Sequence, residues 1–99
     1  GVTFDVVTAY PNPATDEVWF QLEHTAACEP VSYRLDVFDL SGRRVHSAAW
    51  EVESAGFRFA PFRWDLRAVK PGTYLCRITL ESSSGTVEQH SERIVVLRP

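Results

Sequence analysis

The sequence predicts an all-β fold, an immunoglobulin-like antiparallel β-sandwich of about seven strands. Three observations carry that prediction. Much of the 99-residue chain alternates apolar and polar side chains with a period of two, as in a strand with one buried face. Turn chemistry recurs between these segments at roughly 10 to 14-residue spacing. No stretch carries the apolar period of an amphipathic helix.

The elements follow in order. Val2 to Val7 alternates loosely and reads as an opening strand. Tyr10 to Asp16 is an extended, turn-rich link, because Pro11 and Pro13 fix their own φ and push the preceding residues out of the helical region. Glu17 to His24 alternates cleanly, with Val18, Phe20 and Leu22 on one face and Trp19, Gln21 and Glu23 on the other. Ser32 to Asp39 repeats the pattern, Tyr33, Leu35 and Val37 opposing Arg34, Asp36 and Phe38. Asp39-Leu40-Ser41-Gly42 is a hairpin turn: the Asp39 carboxylate can bond nearby amides and Gly42 accepts a positive φ. Arg43 to Val52 is the return strand. Phe57 to Leu66 is aromatic-rich, and Pro61 within it marks an edge position or a break. Ala68 to Gly72 is a turn, Tyr74 to Ser82 a strand, Ser82 to Gly85 a hairpin, and Thr86 to Leu97 the last strand. No repeat or long linker divides the chain, so residues 1–99 read as a single domain. With no Met at the start and no leader pattern, it is expected to be a piece of a longer secreted protein.

Composition excludes several classes. A formal net charge of −3 gives no electrostatic case for nucleic acid or an anionic membrane. No apolar run approaches the roughly 18 to 20 residues of a membrane-spanning helix. Cys28 and Cys76 are either two free thiols or a disulfide, and alternation with Tyr74, Ile78 and Leu80 points Cys76 into the core.

Chemistry is sparse. His24, His46 and His90 lie on separate strands and read as solvent-facing residues rather than metal ligands, and no Cys/His spacing suits zinc. Ser41 precedes a glycine but lacks the G-x-S-x-G pattern and the base of a nucleophile elbow. Asp16 and Asp39 sit in turns, where bonding backbone amides is the usual work. No catalytic residue, metal site or cofactor is expected. Trp19, Trp50, Trp64, Tyr10, Tyr33 and Tyr74 suit either a sugar-binding platform or core and edge packing. Trp19 alternates out of phase with its apolar neighbours and should face outward. The β-prone terminus Ile94-Val95-Val96-Leu97, flanked by Arg93 and Arg98 as gatekeeping charges, either closes its own sheet or adds to another protein's. An edge-strand homodimer is the corresponding self-association.

Several motifs, in this order and at these distances from the carboxyl end, carry a family resemblance. Tyr10-Pro11-Asn12-Pro13-Ala14 opens the pattern, followed by Leu35-Asp36-Val37-Phe38-Asp39-Leu40-Ser41-Gly42-Arg43 and by Trp64-Asp65-Leu66 with Pro71-Gly72-Thr73-Tyr74. Gly85 and the terminal Arg93-Ile94-Val95-Val96 complete it. Over nearly its whole length the chain resembles the carboxy-terminal sorting domain of proteins exported by the type IX secretion system of Bacteroidota. Where that family usually carries paired lysines near its terminus, this chain has Glu92-Arg93 and runs on to Pro99.

The resemblance implies a seven-stranded, non-enzymatic sandwich that acts as a secretion signal. The parent would fold in the periplasm and cross the outer membrane through the type IX translocon, handed over by a shuttle protein, to reach the cell surface or the medium. A sortase-like signal peptidase removes such domains in many members and attaches the cargo to the surface. Gly72, Tyr74, Gly85, Arg93, Ile94, Val95 and Val96 are the implied recognition residues: the glycines as turn formers, Tyr74 as a core anchor, and Arg93 to Val96 as direct contact with the shuttle. The alternative is a carbohydrate-binding or structural immunoglobulin-like accessory module of a secreted enzyme.

Overall fold

The computed structural model describes residues 3–26, 30–52, 56–59, 62–85 and 87–98. Eight strands form two antiparallel sheets: β1 (Thr3–Tyr10), β2 (Glu17–Ala26), β3 (Val31–Phe38), β4 (Arg44–Val52), β5 (Gly56–Phe59), β6 (Phe62–Asp65), β7 (Gly72–Ser82) and β8 (Val87–Val96). In the first sheet β2 is central, with β1 on one side and β5 then β6 on the other. The second runs β4-β3-β7-β8. The expected count rises from about seven to eight because the aromatic-rich Phe57 to Leu66 segment is two strands, both paired to β2. The first of these ends at Phe59 and the second begins at Phe62; the intervening sequence contains Pro61, a residue type that has no N–H for a ladder. The opening strand also runs three residues beyond Val7, to Tyr10.

Period-two alternation translates directly into burial. Val18, Phe20 and Leu22 of β2 face Val31, Tyr33, Leu35 and Val37 of β3 and Tyr74, Cys76, Ile78 and Leu80 of β7, all buried. Ile94 and Val96 of β8 are fully buried as well.

The two open sides of the sandwich close differently. Between β4 and β6 they close with aromatic rings: Tyr33 stacks on Trp50 at 5.3 Å, Trp50 on Phe62 at 4.3 Å, and His46 on Trp64 at 5.4 Å. Between β1 and β8 they close with backbone. The Tyr10 to Asp16 link, whose Tyr10–Pro11 and Asn12–Pro13 bonds are cis, runs along the outer edge of β8, and Ala14 bridges Val96 in parallel.

The β3–β4 turn has the expected chemistry. Asp39 Oδ1 accepts from the amides of Ser41 and Arg43, both at 3.0 Å, and from the Ser41 hydroxyl at 2.6 Å. Gly42 sits at φ +88°, where a Cβ would be strained.

Candidate recognition surface

The sequence-predicted site residues fall into two groups. β7–β8 register pairs Gly72 with Val96, Thr73 with Val95, Tyr74 with Ile94 and Leu75 with Arg93, so six of the seven meet at one end of the sheet. Gly85, at φ +95° in the β7–β8 hairpin, lies at the other end. Ten ladder pairs separate the ends, about 30 Å at 3.4 Å per residue.

Within the first group the roles divide by burial. Tyr74 is buried against Trp64, edge to face at 6.0 Å, and its hydroxyl donates to the Lys70 carbonyl at 2.6 Å. That bond ties β7 back onto the β6–β7 turn, as a tyrosine corner ties a strand to its preceding loop in related sandwiches. Ile94 and Val96 point inward and present no side chain to a partner. Arg93 is exposed and Val95 half-buried, so the outward half of this short strand is Arg93 and Val95.

The terminal strand's outer backbone edge is already partnered. Ala14 N–H donates to the Val95 carbonyl and Leu97 N–H to the Ala14 carbonyl, both at 2.8 Å. Asn12 completes the cover with its side chain: Nδ2 donates to the Arg93 carbonyl at 2.9 Å, and Oδ1 accepts from Val95 N–H at 3.0 Å. A carboxamide thus does the work of one strand residue where two prolines leave the link short of donors. The open choice about the terminus is thereby decided over Arg93 to Leu97, where it closes its own fold.

Arg98 is not a gatekeeping charge held in solvent. Its guanidinium turns inward and donates to the carbonyls of Thr15, Leu66 and, at 2.9 Å, Val69. One side chain therefore clamps the link, the end of β6 and the β6–β7 turn.

Asp36 lies on the outer face as alternation predicts, yet is only 3% exposed. Arg34 at 3.1 Å, Arg44 at 3.6 Å and Arg77 at 3.9 Å surround it, and Ser47 donates to it at 3.2 Å. Arg77 also lies 5.0 Å over the Phe38 ring. No local sequence signal marks this cluster, because its members come from three strands.

The titratable groups take their shifts from burial and from local hydrogen bonds. Burial, aided by the charge of Glu92, pushes the Cys76 thiol up to about 12, which keeps it protonated. Cys76 is free and buried, while Cys28 lies outside the described residues. Burial lowers the His46 pKa, since the ring is packed on Trp64 rather than solvent-facing as expected. Bonds from Ser41 and the Arg43 amide lower Asp39, and bonds from Arg67 lower Asp65. His90 pairs with Glu92 at 3.1 Å, and the side chain of His24 lies outside the described residues. No group of three metal-ligating side chains occurs among the described residues. A groove of about 670 Å³ between β4 and β6 reaches Trp64 and His46, but their stacked rings are committed to packing. Trp50 and Trp64 are therefore not free platforms, and Trp19 is half-buried rather than fully outward.

An antiparallel sandwich whose carboxyl end is clamped into its own fold defines a class: a small all-β module of two packed antiparallel sheets. The sequence profile of the secretion system C-terminal sorting domain matches residues 8–96. The chain belongs to that family, the carboxy-terminal sorting domains of type IX secretion. The family is generally non-enzymatic, and its role implies interaction with the secretion system and export to the cell surface or beyond. No curated protein matches by sequence. Among solved structures, dimeric latent PorU from Porphyromonas gingivalis superposes with a TM-score of 0.80 at 22% identity, over 100% of this chain and 10% of that one. The C-terminal domain of wzt gives 0.75 at 12% identity, over 100% and 75%. A β-glucuronidase of Parabacteroides merdae gives 0.62 at 15% identity, over 96% and 13%. These likenesses establish the fold, and this chain spans about a tenth of the PorU chain.

Proposed function

We propose that residues 1–99 are a single sorting domain that carries a cargo protein from the periplasm through the type IX outer-membrane translocon and performs no chemistry itself. The family match over residues 8–96 carries this reading. A shuttle protein reads the Gly72 end of the β7–β8 ladder, where Arg93 and Val95 face outward. Gly72, Tyr74, Ile94 and Val96 hold that end in shape, and Gly85 shapes the distant hairpin. A sortase-like peptidase then removes the domain and the cargo is attached at the surface. An edge-strand homodimer would use β4, whose outer edge pairs with no described strand.

The test is an export assay. Residues 1–99 are fused to the carboxyl end of a periplasm-directed fluorescent protein, in hosts with and without the type IX machinery. Surface or medium fluorescence that requires both the domain and the machinery supports the reading. Periplasmic retention of a fusion whose domain is folded overturns it.

A further inference from the structure

The outer face of the β4-β3-β7-β8 sheet carries side chains with no role in the core. Register sets Phe38, Leu75 and Arg93 in one row across three strands, with Asp36, Arg77 and Ser91 in the next. Leu40 and Thr73 close the end of the sheet, and a shallow pocket of about 500 Å³ lies among them. Leu40 is 81% exposed and Leu75 45%. Two exposed leucines beside a phenylalanine make an apolar patch rather than scattered residues.

The charge around this patch is unbalanced. Arg34, Arg44 and Arg77 share the single carboxylate of Asp36. Arg93 meets no carboxylate within ion-pair distance among the described residues. Asp39 also borders the pocket, but its carboxylate is taken up by Ser41 and Arg43. The face is therefore cationic on a chain of net charge −3. Unlike β8's covered edge, it requires no backbone pairing from a partner.

We propose that this pocket docks an acidic peptide segment of a protein partner. One bulky apolar side chain of the segment sits among Phe38, Leu40 and Leu75, and carboxylates on either side meet Arg93 and Arg77. The apolar centre disfavours a nucleic-acid backbone, whose contacts are charged along its length. A contact this small gives a transient encounter rather than a permanent complex. That the partner belongs to the export machinery rests on the proposed function, whereas the site itself does not.

The isotope-labelled 99-residue chain is titrated with a capped pentapeptide of one leucine between two pairs of glutamates, and with the same peptide carrying lysines. Amide shifts confined to residues 38–42, 73–77 and 91–93, weakened by salt and absent with the lysine peptide, are expected. Arg93→Glu and Leu40→Ser change exposed side chains and should each weaken binding about fivefold or more at unchanged Tm. Shifts elsewhere, equal response to the lysine peptide, or unaffected variants overturn the proposal. In the export assay, a wild-type fusion that is exported and a double variant that is retained place the partner in the machinery. Equal export of both overturns that placement. Failure of the wild-type fusion overturns the export reading instead, while the titration still decides the pocket.

Discussion

Removing Arg93 to Pro99 should unfold this domain rather than silence a signal on a folded one. Ile94 and Val96 are fully buried, and burying each is worth about 1.5–3 kcal/mol. The deletion also removes the two Ala14 bonds and the two Asn12 bonds that join the link to β8. At a net of about 0.5–1.5 kcal/mol per bond, those contribute about 2–6 kcal/mol. The Arg98 clamp on three carbonyls goes as well. The total of about 5–12 kcal/mol is comparable with the whole stability of a domain this size, about 5–15 kcal/mol. Urea unfolding followed by the fluorescence of the three tryptophans is the assay. The full chain and Arg93→Ala should unfold cooperatively with midpoints equivalent to within about 0.5 kcal/mol. The deleted chain should show no cooperative transition. A sigmoidal transition for the deleted chain within about 1 kcal/mol of the full chain would refute the reasoning, because the clamped terminus would then be dispensable to the fold. The consequence for export work is direct: loss of export on tail deletion does not separate signal from fold, whereas Arg93→Ala does.

Three further outcomes are expected. Asn12→Ala should cost about 1 kcal/mol, the low end for two exposed bonds, and speed hydrogen exchange of the Val95 amide, readable by NMR. Tyr74→Phe keeps the ring against Trp64 and loses only the bond to Lys70, costing about 0.5–1.5 kcal/mol in urea titration, whereas Tyr74→Ala should cost about 3–5 kcal/mol. Stability should fall with acid in two stages, measured as urea midpoints from pH 8 to 3. The His46 pKa is lowered from 6.5 by burial, so its contribution is complete above 6.5 and declines as pH falls toward the folded value. Asp39 and Asp65 are lowered from 3.8 by their hydrogen bonds, so their stabilisation is present above 3.8 and begins to be lost as pH falls below 3.8 toward their folded values, the onset lying within this range. His46→Phe should abolish the first stage and leave the second.

Elements with one buried face were legible because burial imposes a period of two. Val18, Phe20 and Leu22 marked β2, and Tyr33, Leu35 and Val37 marked β3, without reference to any partner. The Asp39 turn was legible because its bonds span two to four residues. What escaped were interactions between residues far apart in the chain. Asn12 reaches Arg93 and Val95 across more than 80 residues, and Arg98 reaches Thr15 across 83. Asp36 looked like an ordinary outward residue, because three arginines from three strands bury it only once the sheet has formed. His46 and Trp50 lie on the inward side of an edge strand, where only the opposite sheet reveals a stacking partner.

The same geometry ties the outward surface of this domain to its folded state. Arg93 and Val95 alternate with Ile94 and Val96, so the strand that offers side chains outward is also the strand that closes the core. The pocket beside it is assembled from the β3–β4 turn, the start of β7 and the middle of β8. In an unfolded chain these stretches do not converge, and the Asp36 cluster that gathers the arginines does not exist. A partner that needs Leu40, Leu75 and Arg93 together therefore binds the native state alone. Its binding would stabilise that state by mass action. Variants that loosen the fold away from this pocket, such as Leu22→Ala in the opposite sheet, should then lose recognition in proportion to the unfolded fraction, without any contact being removed.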